Sequence, residues 1–77
     1  MSNQKYMLVS TMLGDKMTKS YPTEQAAMKA AVDFVQGFSG TIYRGSLFGR
    51  WEMARTWWAG QGGKMEIKYR ECHLSED

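Results

Sequence analysis

All three tryptophans of this 77-residue chain fall within eight consecutive positions, in the run Arg50-Trp51-Glu52-Met53-Ala54-Arg55-Thr56-Trp57-Trp58. So much aromatic surface in so short a chain must either form the core or stand out as a contact surface. No catalytic, metal-binding or cofactor-binding signature accompanies the run. The expectation is a small α+β domain that works by binding rather than by chemistry.

A chain of this length makes one domain, 1–77, with an ordered core expected over residues 5–72 and a polar, fraying tail over 73–77. It buries only about 60–65% of the surface its unfolded form exposes, so its stability is marginal. Small domains often add disulfides, a metal or a second subunit. Cys72 is the single cysteine, which excludes an internal disulfide, and Cys72 with the single histidine His73 is too small a ligand set for structural zinc. A dense aromatic core, a homodimer, or both remain, and three Trp, four Tyr and three Phe make the first realistic.

Ten basic and eight acidic side chains leave a net charge of +2, too little to argue for nucleic acid alone. The N-terminal residues Met1-Ser2-Asn3-Gln4-Lys5 lack the apolar stretch of a signal peptide, and no run approaches the length of a membrane span. With one cysteine, the expected setting is the cytoplasm and no membrane partner is expected.

Residues 5–13 read as a strand around Tyr6-Met7-Leu8-Val9. Gly14-Asp15 reads as a two-residue hairpin turn, because Gly accepts φ > 0 at the first central position of a type II′ turn. Residues 16–21 form the return strand, whose Lys16 and Lys19 suit a sheet edge. A helix is expected over residues 23–36, with Thr23 as cap, Glu24 in the first turn and Gly37 as stop. Its apolar stripe is Ala26, Ala27, Ala30, Ala31, Phe34 and Val35. Residues 40–45 read as a third strand and 46–49 as a turn. Residues 64–70 alternate polar and apolar and read as the last strand.

The tryptophan run fits two readings. As a helix it would place Leu47, Trp51, Ala54 and Trp58 on one face, with Ser46 as cap and Gly60 as stop. As a strand it would pair with the last strand across the loop 60–63, setting Trp58, Thr56 and Ala54 beside Met65, Ile67 and Tyr69. The strand reading is favoured. It gives the order ββαβββ: a single antiparallel sheet with one helix packed on one face.

In that arrangement the uncovered face carries Trp51, Met53, Arg55 and Trp57 beside Lys64, Glu66, Lys68 and Arg70. Trp and Arg dominate binding hot spots, and aromatic rings on an open sheet also stack nucleic-acid bases. The plainer alternative is that these side chains simply cover the sheet, Lys and Arg stems lying over the rings. Leu47-Phe48, between Gly45 and Gly49, is a contact pair if it tips a hairpin and ordinary core if the strands extend. The seven methionines read as adaptable core filling. Cys72 and His73, as neighbours in a strand, point to opposite faces and make a poor nucleophile and base pair. Gly60-Gln61-Gly62-Gly63-Lys64-Met65 fits neither dinucleotide nor P-loop spacing and reads as a hairpin connection. No catalytic residue, cofactor or metal is expected.

The hairpin, the Ala-rich helix, Gly40-Thr41-Ile42-Tyr43-Arg44, the start Gly49-Arg50-Trp51 and the short basic last strand together resemble the small phage-encoded anti-CRISPR proteins of type I systems. The resemblance covers roughly residues 5–72 as element order. It implies a non-enzymatic inhibitor that docks on a host nucleic-acid-handling or defence complex, in the host-cell cytoplasm. Basic side chains would occupy a site that nucleic acid normally uses. This chain differs in its modest net charge and its clustered tryptophans. The residues expected to carry contact are Arg50, Trp51, Met53, Arg55, Trp57, Lys68 and Arg70, with Leu47 and Phe48 beside them. The partner expected is a host protein or nucleoprotein complex. The alternatives are a nucleic-acid-binding module using the same face, and a homo-oligomer in which that face joins subunits.

Overall fold

A two-residue turn opens the fold, one position earlier than expected. In the computed structural model, which describes residues 5–69, β1 (Tyr6–Met12) and β2 (Asp15–Tyr21) pair antiparallel with Met12 opposite Asp15. The turn residues are therefore Leu13 and Gly14, at φ 53° and 87°. Positive φ at both central positions is the type I′ turn, whose twist matches that of the strands, rather than the type II′ turn expected over Gly14-Asp15.

Helix α1 (Glu24–Ser39) starts as expected: the Thr23 hydroxyl accepts from the Ala26 amide at 3.1 Å, and Glu24 stands in the first turn. It does not stop at Gly37. The helix continues to Ser39, and Gly40 ends it in the left-handed conformation (φ 73°), its N–H donating to the Gln36 carbonyl at 2.9 Å. A mid-helix glycine costs about 1 kcal/mol. The extra turn offsets this by seating Phe38 against Phe34 and Trp58, with ring centroids 5.0 and 5.6 Å apart.

The strand expected over 40–45 is absent. This segment joins two helices, and local side chains satisfy two of its amides: Thr41 N donates to Ser39 Oγ at 3.1 Å and Tyr43 N to Gln36 Oε1 at 3.0 Å. The tryptophan run is the other correction. Helix α2 (Leu47–Gly60) takes it, capped by Ser46, whose Oγ accepts from the Gly49 amide at 3.1 Å. The physical reason is composition. Thr56 is the single β-branched residue of the segment, while Leu, Arg, Glu, Met and Ala favour a helix.

The last strand, β3 (Lys64–Tyr69), pairs antiparallel with β1 and not with the tryptophan segment: Tyr6 faces Tyr69 and Thr11 faces Lys64. The order is thus ββααβ, an α+β fold with one open antiparallel sheet, β2-β1-β3. Both helices cover one face of it. Leu8, Ser10 and Met65 point into that layer and are buried, with Ala27, Met28, Ala31, Val32 and Val35 from α1 and Trp51, Ala54 and Trp58 from α2. Arg70, Cys72, His73 and the tail lie outside the described residues.

Candidate functional site

The helix-covered layer does not close at the hairpin end. There α1 brings Phe34 and Phe38, α2 brings Trp57 and Trp58, and the hairpin brings Met12, Leu13 and Met17 around a groove of about 460 Å³. Its floor is buried and hydrogen-bonded. Trp58 is 5% exposed, its ring lies 5.4 Å from Phe34, and its Nε1–H donates to the Thr11 carbonyl at 3.0 Å. Gly63 permits that bond: a Cβ there would lie 2.5 Å from the Thr11 oxygen and 2.6 Å from Trp58 Nε1. The lip, by contrast, is exposed apolar surface, with Leu13 at 90%, Phe38 at 64% and Met17 at 48%. Asp15 and Gln61 supply polar atoms at the rim. Three large apolar side chains exposed around one concavity make a contact site for apolar groups.

Trp57 is half-buried and stands between this groove and a second, shallower hollow lined by Thr41, Tyr43, Glu52, Met53 and Thr56. The Tyr43 hydroxyl and Arg50 Nε are buried and make no hydrogen bond among the described residues.

The structure distributes the residues expected to carry contact rather than assembling them. Trp51 is buried at 5% exposure. Arg55 lies on the surface of α2, its guanidinium 6.0 Å from the Trp51 ring centroid and its Nη2 2.8 Å from Glu52 Oε1. Arg50 and Leu47 are half-buried on the same helix, while Phe48 and Met53 are exposed. Met53 and Trp57 share the shallow hollow. Lys68 is elsewhere: it stands opposite Met7 on the uncovered face of the sheet, with its Nζ 3.8 Å from Glu66. Arg70 lies outside the described residues. The tryptophans, with Arg50 and Arg55, are thus on one side of the sheet and Lys68 on the other, because the tryptophan run is a helix.

On the uncovered face Lys64 Nζ lies 2.9 Å from Glu66 Oε2. The hydrogen bond from Lys64, then its charge, holds the Glu66 carboxyl below the usual glutamate range, and the same contact raises Lys64. Lys64 and Lys68 are largely exposed, and among the described residues this face of the strands carries no aromatic side chain.

Sequence reasoning missed Met12, Leu13, Met17 and Phe38 as contact residues. The available signals were Leu13 directly before the turn glycine and Phe38 beyond the assumed helix stop. Among the described residues no group of His, Cys, Asp and Glu is placed to hold a metal ion, and no helix is long and apolar enough to cross a membrane. Comparison with protein families, with curated proteins and with solved structures gave no match.

Proposed function

We propose that this chain is a small non-enzymatic binding protein that acts by docking on a host protein or nucleoprotein complex, inserting an apolar group of that partner into the groove at the hairpin end. The observation that carries the reading is the exposed lip of Leu13, Met17 and Phe38 around a buried, hydrogen-bonded aromatic floor. Such a lip is costly to leave in water and gains when covered. The resemblance to phage-encoded anti-CRISPR proteins supports an inhibitor or modulator of a host nucleic-acid-handling or defence complex, working in the host cytoplasm. That resemblance rests on the opening ββα order and on the segments 40–44 and 49–51, since the later elements are ordered differently. Contact with protein is favoured over nucleic acid because the lysines of the uncovered face share it with Glu66 and, among the described residues, with no aromatic side chain on that face.

The test is capture of partners from host lysate by wild type, Leu13→Asn and Phe38→Ser, with and without nuclease. Leu13→Asn removes apolar surface while giving the turn its preferred Asn-Gly pair. A partner kept through nuclease by wild type and lost by both variants is the expected result. Equal capture by all three overturns the groove as the site, and loss on nuclease treatment points to nucleic acid.

A further inference from the structure

A second surface, the outer edge of β2, goes beyond this docking reading. Among the described residues β2 has one neighbour, β1, and six of its seven residues are exposed. The two-residue turn closes on the pair Met12 and Asp15, so Asp15, Met17 and Lys19 direct their backbone groups to β1 and their side chains to the helix-covered face. Lys16, Thr18 and Ser20 direct their amides and carbonyls outward. An antiparallel copy of β2 can pair only where outward residues meet outward residues, which eliminates every odd register.

Charge then selects among the even ones. Shifting one way sets Lys16 against Lys16, and shifting the other way sets Lys19 against Lys19. Of the two registers between, one places Asp15 against Tyr21 and Met17 against Lys19. The other places Asp15 against Lys19 twice, Lys16 against Thr18 twice, and Met17 against Met17 on the axis. In that register every charge has an opposite or neutral neighbour and the exposed Met17 gains an apolar one. Edge lysines normally deter pairing. Here they reject two of the four registers, and the Asp15–Lys19 pairs select between the two that remain.

We propose that β2 pairs with the β2 of a second copy of this chain, antiparallel about a two-fold axis at Met17, forming one six-stranded sheet with all helices on one face. The backbone groups of Lys16 and Thr18 form the new ladder bonds, and the Asp15–Lys19 pairs fix the register. Met17 and Asp15 line both the groove and this junction, whereas Leu13 and Phe38 line the groove alone, so Leu13→Asn and Phe38→Ser test the groove while leaving the paired residues in place.

The test is the solution mass of the purified chain by light scattering, from about micromolar to millimolar concentration, for wild type, Asp15→Lys, Lys19→Asp and the double exchange. Both positions are exposed at the edge, and circular dichroism verifies that each variant folds. Wild type is expected to approach twice its 8.8 kDa chain mass. Each single variant opposes like charges at two symmetric places and is expected to weaken the dimer about tenfold, and the double exchange to restore it. A dimer indifferent to all three variants overturns this surface. A chain monomeric throughout overturns the proposal and leaves the edge to a strand of a different protein.

Discussion

The two faces of the sheet are built from alternate residues of the same strands, yet they differ in almost every respect. On β1, Leu8 and Ser10 point under the helices and are buried, while Met7, Val9 and Thr11 point the other way and are half-buried. The covered face is held by aromatic and aliphatic packing across α1 and α2. The uncovered face carries Lys16, Thr18 and Ser20 from β2 and the Lys64, Glu66 and Lys68 ion pairs from β3. A three-stranded sheet has too little apolar material to build two cores, so the buried residues lie on one side and Met7 and Val9 on the other are only half-buried. The consequence is that stability and contact chemistry concentrate on the helix side, at Trp58 and the groove it floors.

The largest test of that asymmetry is Trp58→Ala. Trp58 contacts Phe34 and Phe38, and it donates to the Thr11 carbonyl. Truncation is expected to destabilise by about 3–5 kcal/mol, much of the total for a domain this size. Urea unfolding followed by circular dichroism would show it; a loss below 1 kcal/mol would mean the helix layer does not depend on this ring. Next comes a neighbouring pair on one strand. Leu8→Ala is expected to cost about 2–5 kcal/mol, and Val9→Ala only about 1 kcal/mol. Equal costs would contradict the one-sided core.

Ala54→Leu probes how tightly the covered side is filled. Ala54 is fully buried in α2, so three added carbons are expected to cost about 1–3 kcal/mol despite leucine's good helix propensity. Thermal melting would detect this as a drop of several degrees. A gain in melting temperature would show room between α2 and its neighbours.

The covered side was also where the sequence was hardest to read. Helix α1 announced itself through Thr23, Glu24 and an alanine stripe, because capping and periodicity act locally. The β1–β2 hairpin and β3 were legible for the same reason, apart from the one-residue shift at Leu13-Gly14. Helix α2 lacks a clean stripe: it exposes Phe48 and Met53 while burying Trp51, Ala54 and Trp58. A plausible register beside Met65, Ile67 and Tyr69 suggested a strand, while the cap at Ser46, the stop at Gly60 and the spacing of 47, 51, 54 and 58 argued for the helix. That one misassignment moved the aromatic residues to the wrong side of the sheet. It created a platform with Lys68 that does not form, and it hid the groove, whose residues come from four elements distant in sequence.

The smallest effect is expected on the uncovered face, from Glu66→Gln. The folded state lowers the Glu66 carboxyl pKa and raises the Lys64 ammonium pKa, through their mutual contact. A depressed carboxyl contributes stability that is present above its unfolded value and lost as pH falls through its folded value. A raised ammonium contributes stability that is present below its unfolded value and lost as pH rises through its folded value. Between the ordinary glutamate and lysine ranges the contribution is therefore constant, and it disappears only in acid or strong alkali. Glu66 is a third exposed and Lys64 largely so, and solvent and salt screen such pairs. Glu66→Gln should leave the urea midpoint at neutral pH almost unchanged and make its fall in acid slightly shallower, with both differences shrinking as salt is added. A neutral-pH loss as large as that of Val9→Ala, insensitive to salt, would mean that this face is shielded from water. The uncovered face would then be an interface, and the asymmetry between the two sides would belong to the isolated chain alone.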